Sequence, residues 1–392
     1  MNTETRGRPA WVNTALVSTA SLILAFAVAM VIMVVTDAEI MAKYAYFIAR
    51  PGDALDATFG KIAITFEAMY VGSLGSATAL TETTAEAAPL IAAGLGVALA
   101  FRAGLFNIGA QGQAVMGALV GAYLGFSIKG LPIFLHLPLV IFAGVLMGAL
   151  WGGVVGLIKA RTGAHEVILT IMMNYVAANI LSYLLKQPFM REPGVSNPIA
   201  PVLEWSATLP RVAGTRLHLG FGLALLAALG CWWLLERTRF GFRLQAVGLN
   251  PDAAATAGTS VGRVTFTTMA LAGGLAGLGG LITVTAPVIL TSYPPQLTVS
   301  IIGTLGFDAI TVALLGRSRP FGVVLAGLLF GALKASRTAM VTIASTPKQL
   351  VDLIQALIVL LVAAPAFVTW LLPFLKERRR RVTRTVPKEA KA

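Results

Sequence analysis

The side chains that could do chemistry in this sequence are few, and most are amides set in otherwise apolar runs. Asn107, Gln111 and Gln113 follow one another in a stretch interrupted by Gly104, Gly109, Gly112 and Gly117. Glycines so placed let a helix break and turn backbone groups toward a cavity, which is how spans line transport routes. An amide both donates and accepts, so it suits sugar hydroxyls and nucleobase edges alike. The plainer alternative is that these amides bond one helix to another, at about 0.6 kcal/mol on average. Asn174, Tyr175 and Asn179 form a second group. The two asparagines are separated by about 500° of helical rotation, so one can line a pathway while the other packs. Tyr175 offers a ring on which a base could stack, although a packed or lipid-facing ring is the commoner fate. Asp308 is an acid in the middle of an apolar run, behind Gly303 and Gly306. It could hold a ribose hydroxyl, but acceptance of backbone N–H groups at a helix break, or a basic partner, is the expected role. Glu166 reads as a dipole partner at a helix start. Lys334 and Asp352, near span ends, are expected to snorkel toward water.

Self-sufficient catalysis finds no support. Gly60-Lys61 is followed by Ile62, and no G-x-x-x-x-G-K-[ST] occurs, so no P-loop cradles a nucleotide. His136, His165 and His218 are far apart, without zinc-ligand spacing, and a G-x-S-x-G elbow is missing. The expectation is therefore no catalytic residue, no resident cofactor and no metal. Gly273–Gly280 lies inside an apolar run with no preceding strand, which favours close helix packing over a dinucleotide loop. Cys231, the one cysteine, reads as an inert small hydrophobe.

Residues 236–263 contain a compact set of helix signals. Asn250 is a favoured N-cap, Pro251 suits the first helical position, and Asp252 complements the positive end of the helix dipole. Ala253 and Ala254 have high helix propensity, and Gly258 can take the left-handed conformation that ends a helix. The signals predict a two-turn helix over about 251–257, with Gly248 before it and Arg237, Arg239 and Arg243 beside it. A helix of small residues can enter a cleft on another protein, and it can equally be a capped connector that touches nothing.

The elements that must position these residues are membrane spans. The chain has 392 residues, 57% hydrophobic and 12% charged, against roughly a quarter charged in a soluble domain. So few charges cannot cover so much surface in water, and the composition also excludes a disordered chain or a disulfide scaffold. Charge-free runs predict an all-α polytopic membrane protein of about ten helices, near 14–35, 86–101, 108–127, 138–158, 166–185, 218–235, 264–285, 298–315, 320–335 and 350–372. Val264–Phe307 alone runs 44 residues without a charge, enough for two crossings, with Pro294-Pro295 as the turn. The organisation that follows is an N-terminal tail and leader span (1–36), an outer segment (37–85), a core (86–372) containing the loop 236–263, and a basic tail (373–392). That tail has eight Lys/Arg against two Glu, which places both termini in the cytoplasm of a multi-pass protein of the cell membrane. Lacking aromatic residues from 376 onward, it suits the lipid surface of the bilayer and not nucleic acid.

Three stretches resemble a known family. Phe240-Gly241-Phe242-Arg243 through Gly258 resembles the loop bearing the coupling helix of ABC-transporter permeases of the branched-chain amino acid/ribose type. Phe101-Arg102-Ala103-Gly104-Leu105-Phe106-Asn107-Ile108-Gly109-Ala110-Gln111-Gly112-Gln113 and Gly306-Phe307-Asp308-Ala309-Ile310-Thr311-Val312-Ala313-Leu314-Leu315-Gly316 resemble its nucleoside and simple-sugar subfamily, and the long leader helix with the outer segment Asp37–Glu86 resembles the longer of its two paired subunits. Gln245 stands where that pattern leads one to expect Arg, and Thr256 where Tyr is usual. The resemblance implies an ABC importer permease fold with one or more broken helices and no ATPase of its own. ATP would be bound by a separate ABC ATP-binding subunit docked on Gly248, Asn250, Pro251, Asp252, Ala253, Ala254, Gly258 and Arg243. It further implies a second, shorter permease subunit and an extracytoplasmic substrate-binding lipoprotein. Nucleosides are the expected cargo, with ribose or another simple sugar as the alternative. An ion-coupled secondary transporter is the alternative of another class.

Overall fold

The computed structural model describes residues 10–287, 296–347 and 349–363, with positions 368 and 371 beyond them. Pro294-Pro295 and the basic tail 373–392 lie outside the described residues. The helices are α1 (Ala10–Thr36), α2 (Ala38–Tyr44), α3 (Pro51–Ser73), α4 (Ala77–Arg102), α5 (Ala110–Ser127), α6 (Ile133–Thr162), α7 (Glu166–Leu184), α8 (Leu219–Arg237), α9 (Arg239–Leu249), α10 (Pro251–Thr256), α11 (Val261–Thr285), α12 (Leu305–Leu315), α13 (Pro320–Ala335), α14 (Arg337–Thr342) and α15 (Gln349–Ala363). Among the described residues no strand forms, only two isolated bridges.

Each predicted span contains a helix, and among the described residues seven helices are long and apolar enough to cross a membrane. The shortfall against ten falls on α5, whose first turn is polar, and on the short helices α12 and α15. Two boundaries differ for physical reasons. α4 starts at Ala77 and not near 86, capped by Ser76, which accepts a hydrogen bond from the Ala79 amide. Glu82 and Glu86, which ended the charge-free window, sit on this helix and face Arg216 at 2.9 and 3.6 Å, so they do not stop it. The predicted span 298–315 is helical only from Leu305, because residues 296–304 follow an irregular path.

Helices α4 and α11 form the buried axis, and α5, α6, α12 and α13 pack around them. The contact between α6 and α11 is the most extensive, and glycine makes it possible. A Cβ on Gly148 would sit 2.8 Å from the Gly277 Cα, and one on Gly117 in α5 would sit 2.5 Å from the same atom. Lipid gives helices no hydrophobic reason to associate, so backbones that meet face to face supply the packing instead. By contrast α7 is mostly exposed on this single chain.

The bundle has two distinct ends. One carries α9 and α10. At the other, residues 185–218 fold across the helix ends with one short 3-10 turn, Trp205–Ala207. That loop is pinned by the Glu204 amide donating to the Gly125 carbonyl (2.8 Å) and the Leu209 amide to the Thr285 carbonyl (3.0 Å). The Ala200 amide adds a bond to the Leu297 carbonyl (3.0 Å), which brings residues 296–298 to this far end. The segment 37–85 holds α2, α3 and the start of α4. Lys61 pairs with Asp37 at 3.0 Å. Burial alone would raise the Asp37 carboxyl, but the Lys61 ammonium and the Ile40 and Glu39 amides hold it below its usual range.

Candidate functional site

The chain leaves helical geometry twice on its way through the bundle, and the two interruptions meet. The first, residues 103–109, starts at the α10 end, where Gly104 takes a φ of +72° against Gly248 of α9. It climbs alongside α7. The Phe106 amide donates to Glu166 Oε1 (3.3 Å), Gly109 lies against Thr170, and the Ile108 carbonyl accepts from Asn174 Nδ2 (3.0 Å). Asn174 Oδ1 then accepts from the Gly112 amide (2.8 Å), one of the otherwise orphaned donors at the start of α5. Within the segment, Asn107 Nδ2 donates to Gln113 Oε1 (3.0 Å), and Asn107 Oδ1 accepts from the Gly109 amide (3.0 Å). Both side chains are fully buried, with Gln113 against Gly152 in the lower middle of α6. Irregular backbone at this depth must be satisfied within the protein, and these amides do it.

The second interruption, residues 296–304, descends from the far end and stops where α12 begins. Gly306 is pressed onto the backbone of Ala110 and Gln111, and further along the same helix Val312 meets Gly94 near the middle of α4. Gln111 bridges the two breaks: Nε2 donates to the Gly303 carbonyl (2.8 Å), and Oε1 accepts from the Gly306 amide (2.7 Å). Gly303, with φ +52°, and Thr304 are exposed, as is Phe307 at 49%. Asp308 Oδ2 accepts from Lys334 Nζ (2.6 Å) and from Thr304 Oγ1 (3.1 Å). The expected basic partner of Asp308 is therefore present, on α13. Lys334 does not snorkel, because this carboxylate lies within its reach. Asp352 is likewise paired, with Arg337 at the start of α14.

These bonds sort the pathway candidates. Asn107, Gln113 and Asn174 are committed to internal partners, and the two ends of the Gln111 amide are occupied by Gly303 of the second interruption and Gly306 of α12. Tyr175 is 64% exposed on the outer face of α7, next to Asn179, whose Nδ2 donates to the Tyr175 carbonyl of its own helix (2.8 Å). Glu166, read as a dipole partner, also pairs with Lys159 at 2.7 Å. Phe307 escaped the residue-by-residue reading although it stands inside a quoted motif. Its signal was a large aromatic between a glycine and the lone acid.

At the α10 end the helix signals fall as expected, and one helix was not anticipated. Asn250 Oδ1 accepts from the Asp252 (3.1 Å) and Ala253 (3.0 Å) amides, and α10 closes before Gly258 at φ +82°. Before it, α9 is a second helix, capped by Thr238, which accepts from the Gly241 amide (3.0 Å). Its buried side, Leu244 and Val247, joins Ala254 of α10 against Leu99, Ala103, Leu105 and Val264. Gly248 lies so near the Arg102 carbonyl that a Cβ there would overlap it. Gln245, the residue that departs from the pattern, donates to the Leu235 carbonyl at the end of α8 (2.9 Å). Ala254 thus faces its own chain, and Pro251, Asp252, Ala253, Leu249 (88% exposed), Phe242 (74% exposed) and Arg243 face outward.

A helical membrane core broken at mid-depth, with a capped helix projecting from one end, defines a multi-pass membrane transport protein. The sequence family described as "Branched-chain amino acid transport system / permease component" matches residues 79–363, and the chain belongs to it. Among curated relatives, the guanosine ABC transporter permease protein NupP of Bacillus subtilis is 36% identical over 81% of this chain and 90% of its own length. The glucose ABC transporter permease protein TsgB13 of Haloferax volcanii is 34% identical over 76% of this chain and 80% of its own length. The nucleoside ABC transporter permease protein NupB of Lactococcus lactis is 32% identical over 79% of this chain and 86% of its own length. No solved structure matches the chain. The protein is a permease component of a transport system.

Proposed function

We propose that this chain imports nucleosides as the membrane-spanning partner of a separate ATP-binding subunit, which alone binds ATP and docks on α10 and the exposed side of α9. The observation that carries this reading is the wedge at the α10 end. α10 is joined to α9 through a single capping residue, and α9 is seated on the inner ends of α4, α8 and α11, so a push on α10 reaches the helices flanking the break. This end is the cytoplasmic one in our reading, with both termini on the same side. A second, shorter permease subunit completes the pathway along the exposed α7 and α12 surfaces, and an extracytoplasmic lipoprotein delivers the cargo at the far end. Two of the relatives are named for nucleosides or guanosine, which supports that cargo. The sugar alternative keeps one specific support, the relative named for glucose. An ion-coupled mechanism has no such support, and the mid-span acid Asp308 already has an ion-pair partner in Lys334.

The test is uptake of labelled guanosine by cells expressing the complete transporter, with ribose and glucose as competitors. Guanosine uptake resistant to excess ribose and glucose is expected, and full inhibition by either sugar would replace nucleosides with sugars as the cargo. In the same cells Ala253→Trp should reduce uptake at least tenfold with normal membrane insertion, because Ala253 is exposed and its replacement blocks only the docked partner. Normal uptake in that variant would remove α10 from the coupling path.

A further inference from the structure

We propose that the permease reads its cargo on one ledge of α12, formed by Thr304, Phe307 and Asp308, where a flat base lies on the Phe307 ring and a ribose hydroxyl donates to Asp308. The proposal rests on the nucleoside reading above. The three residues lie at positions i, i+3 and i+4, so they share one face of the helix start. They sit at the depth of the mid-bundle, beside the irregular chain of 296–304. Irregular backbone at such a depth is tolerated beside protein or a water-filled cavity and not beside lipid, and Gly303 and Thr304 are exposed on this chain. We therefore place the half-exposed Phe307 ring on the side where the second subunit would close the route, and not against the acyl chains.

The polar inventory of the ledge narrows what can bind. Gln111 has both amide functions spent on Gly303 and Gly306, so it has no direct role in recognition. Asp308 directs Oδ2 to Lys334 and Thr304, and among the described residues Oδ1 has no partner. Oδ1 is therefore an acceptor that awaits a donor. A ring face beside a lone acceptor fits a solute with an aromatic plane and a neighbouring hydroxyl. A nucleoside has both, a simple sugar has only the hydroxyl, and a free base has only the plane. Stacking is tolerant of base identity, so the ledge would select the class and not the individual nucleoside.

The chain's one cysteine, Cys231, is buried, which leaves an introduced thiol as the reactive one among the described residues. Thr304→Cys is placed in the complete transporter, and its modification by a water-soluble maleimide is timed with and without solute. Saturating guanosine or uridine is expected to slow labelling by about fivefold or more, and ribose at the same concentration by less than about twofold. Adding Phe307→Leu should abolish the protection, and adding Phe307→Tyr, which keeps the ring, should preserve it. Labelling that ignores nucleosides in a system that takes them up, or protection that survives Phe307→Leu, overturns the ledge and leaves the nucleoside reading standing. Absence of any nucleoside uptake by the unmodified transporter overturns the cargo, and the ledge with it.

Discussion

Segment 103–109 is sewn shut by buried amides, whereas segment 296–304 leads into α12 beside a partly buried carboxylate and a half-exposed ring. The two meet at Gln111, at the same depth in the same bundle. In the first, Asn107 and Asn174 are spent on backbone groups the break left open, and Gln113 holds the Asn107 side chain in place. In the second, the backbone is held by a residue borrowed from α5, and its own polar side chains point where water reaches. Breaking a helix inside a membrane leaves donors and acceptors that must be matched, and a segment whose own amide is spent on that matching becomes scaffold. A segment whose side chains are not needed for that matching keeps them to spare for a ligand.

Three substitutions test that division, in falling order of effect. Asn174→Ala leaves the Gly112 amide and the Ile108 carbonyl unpaired in the interior, a cost of about 2–6 kcal/mol at about 1–3 kcal/mol for each group. The expected result is little folded protein, with thermal unfolding in detergent far below the native midpoint. A native-like midpoint would show that the first segment does not hold the break closed. Lys334→Met should come next, destabilising by about 2–4 kcal/mol because it strands Asp308 beside apolar helices. Most of that loss should return when Asp308→Asn is added, by the same melting assay. A double variant as unstable as the single one would mean that the pair is not a self-contained unit. Asn179→Ala, which loses only a bond to its own helix, should change stability by less than about 0.5 kcal/mol. A larger drop would make the α7 face part of the scaffold as well.

How much of this was legible depended on whether the signal was local. Asn250, Pro251, Asp252 and Gly258 specify α10 within nine residues, and the structure keeps each in its expected position. The spans were legible as gaps between charges, and α4 was misjudged only where its acids belonged to a tertiary ion pair with Arg216. α9 was hidden because Arg239, Gly241, Arg243 and Gly248 resemble a loop by composition. Its core positions Phe240, Leu244 and Val247, at i, i+4 and i+7, were the overlooked sign. The second break was invisible for the opposite reason. A run of 44 residues without a charge gives no mark of where helix stops, and the partners that stabilise the stop, Gln111 and Lys334, come from elsewhere in the chain.

Asn250 ends α9 and begins α10, so no residue between the two helices is free to bend. In mechanical terms the joint has no backlash. A linker of even a few flexible residues would absorb the first ångströms of any stroke as slack, and a short stroke would then be lost. Here displacement at the outer helix arrives at Gly248, against the Arg102 carbonyl, with its amplitude kept. Under the coupling proposed above, the consequence concerns timing as much as force: the membrane half would neither lag its driver nor run ahead of it. Inserting two glycines after Asn250 would turn a rigid crank into a loose one without removing a single contact residue.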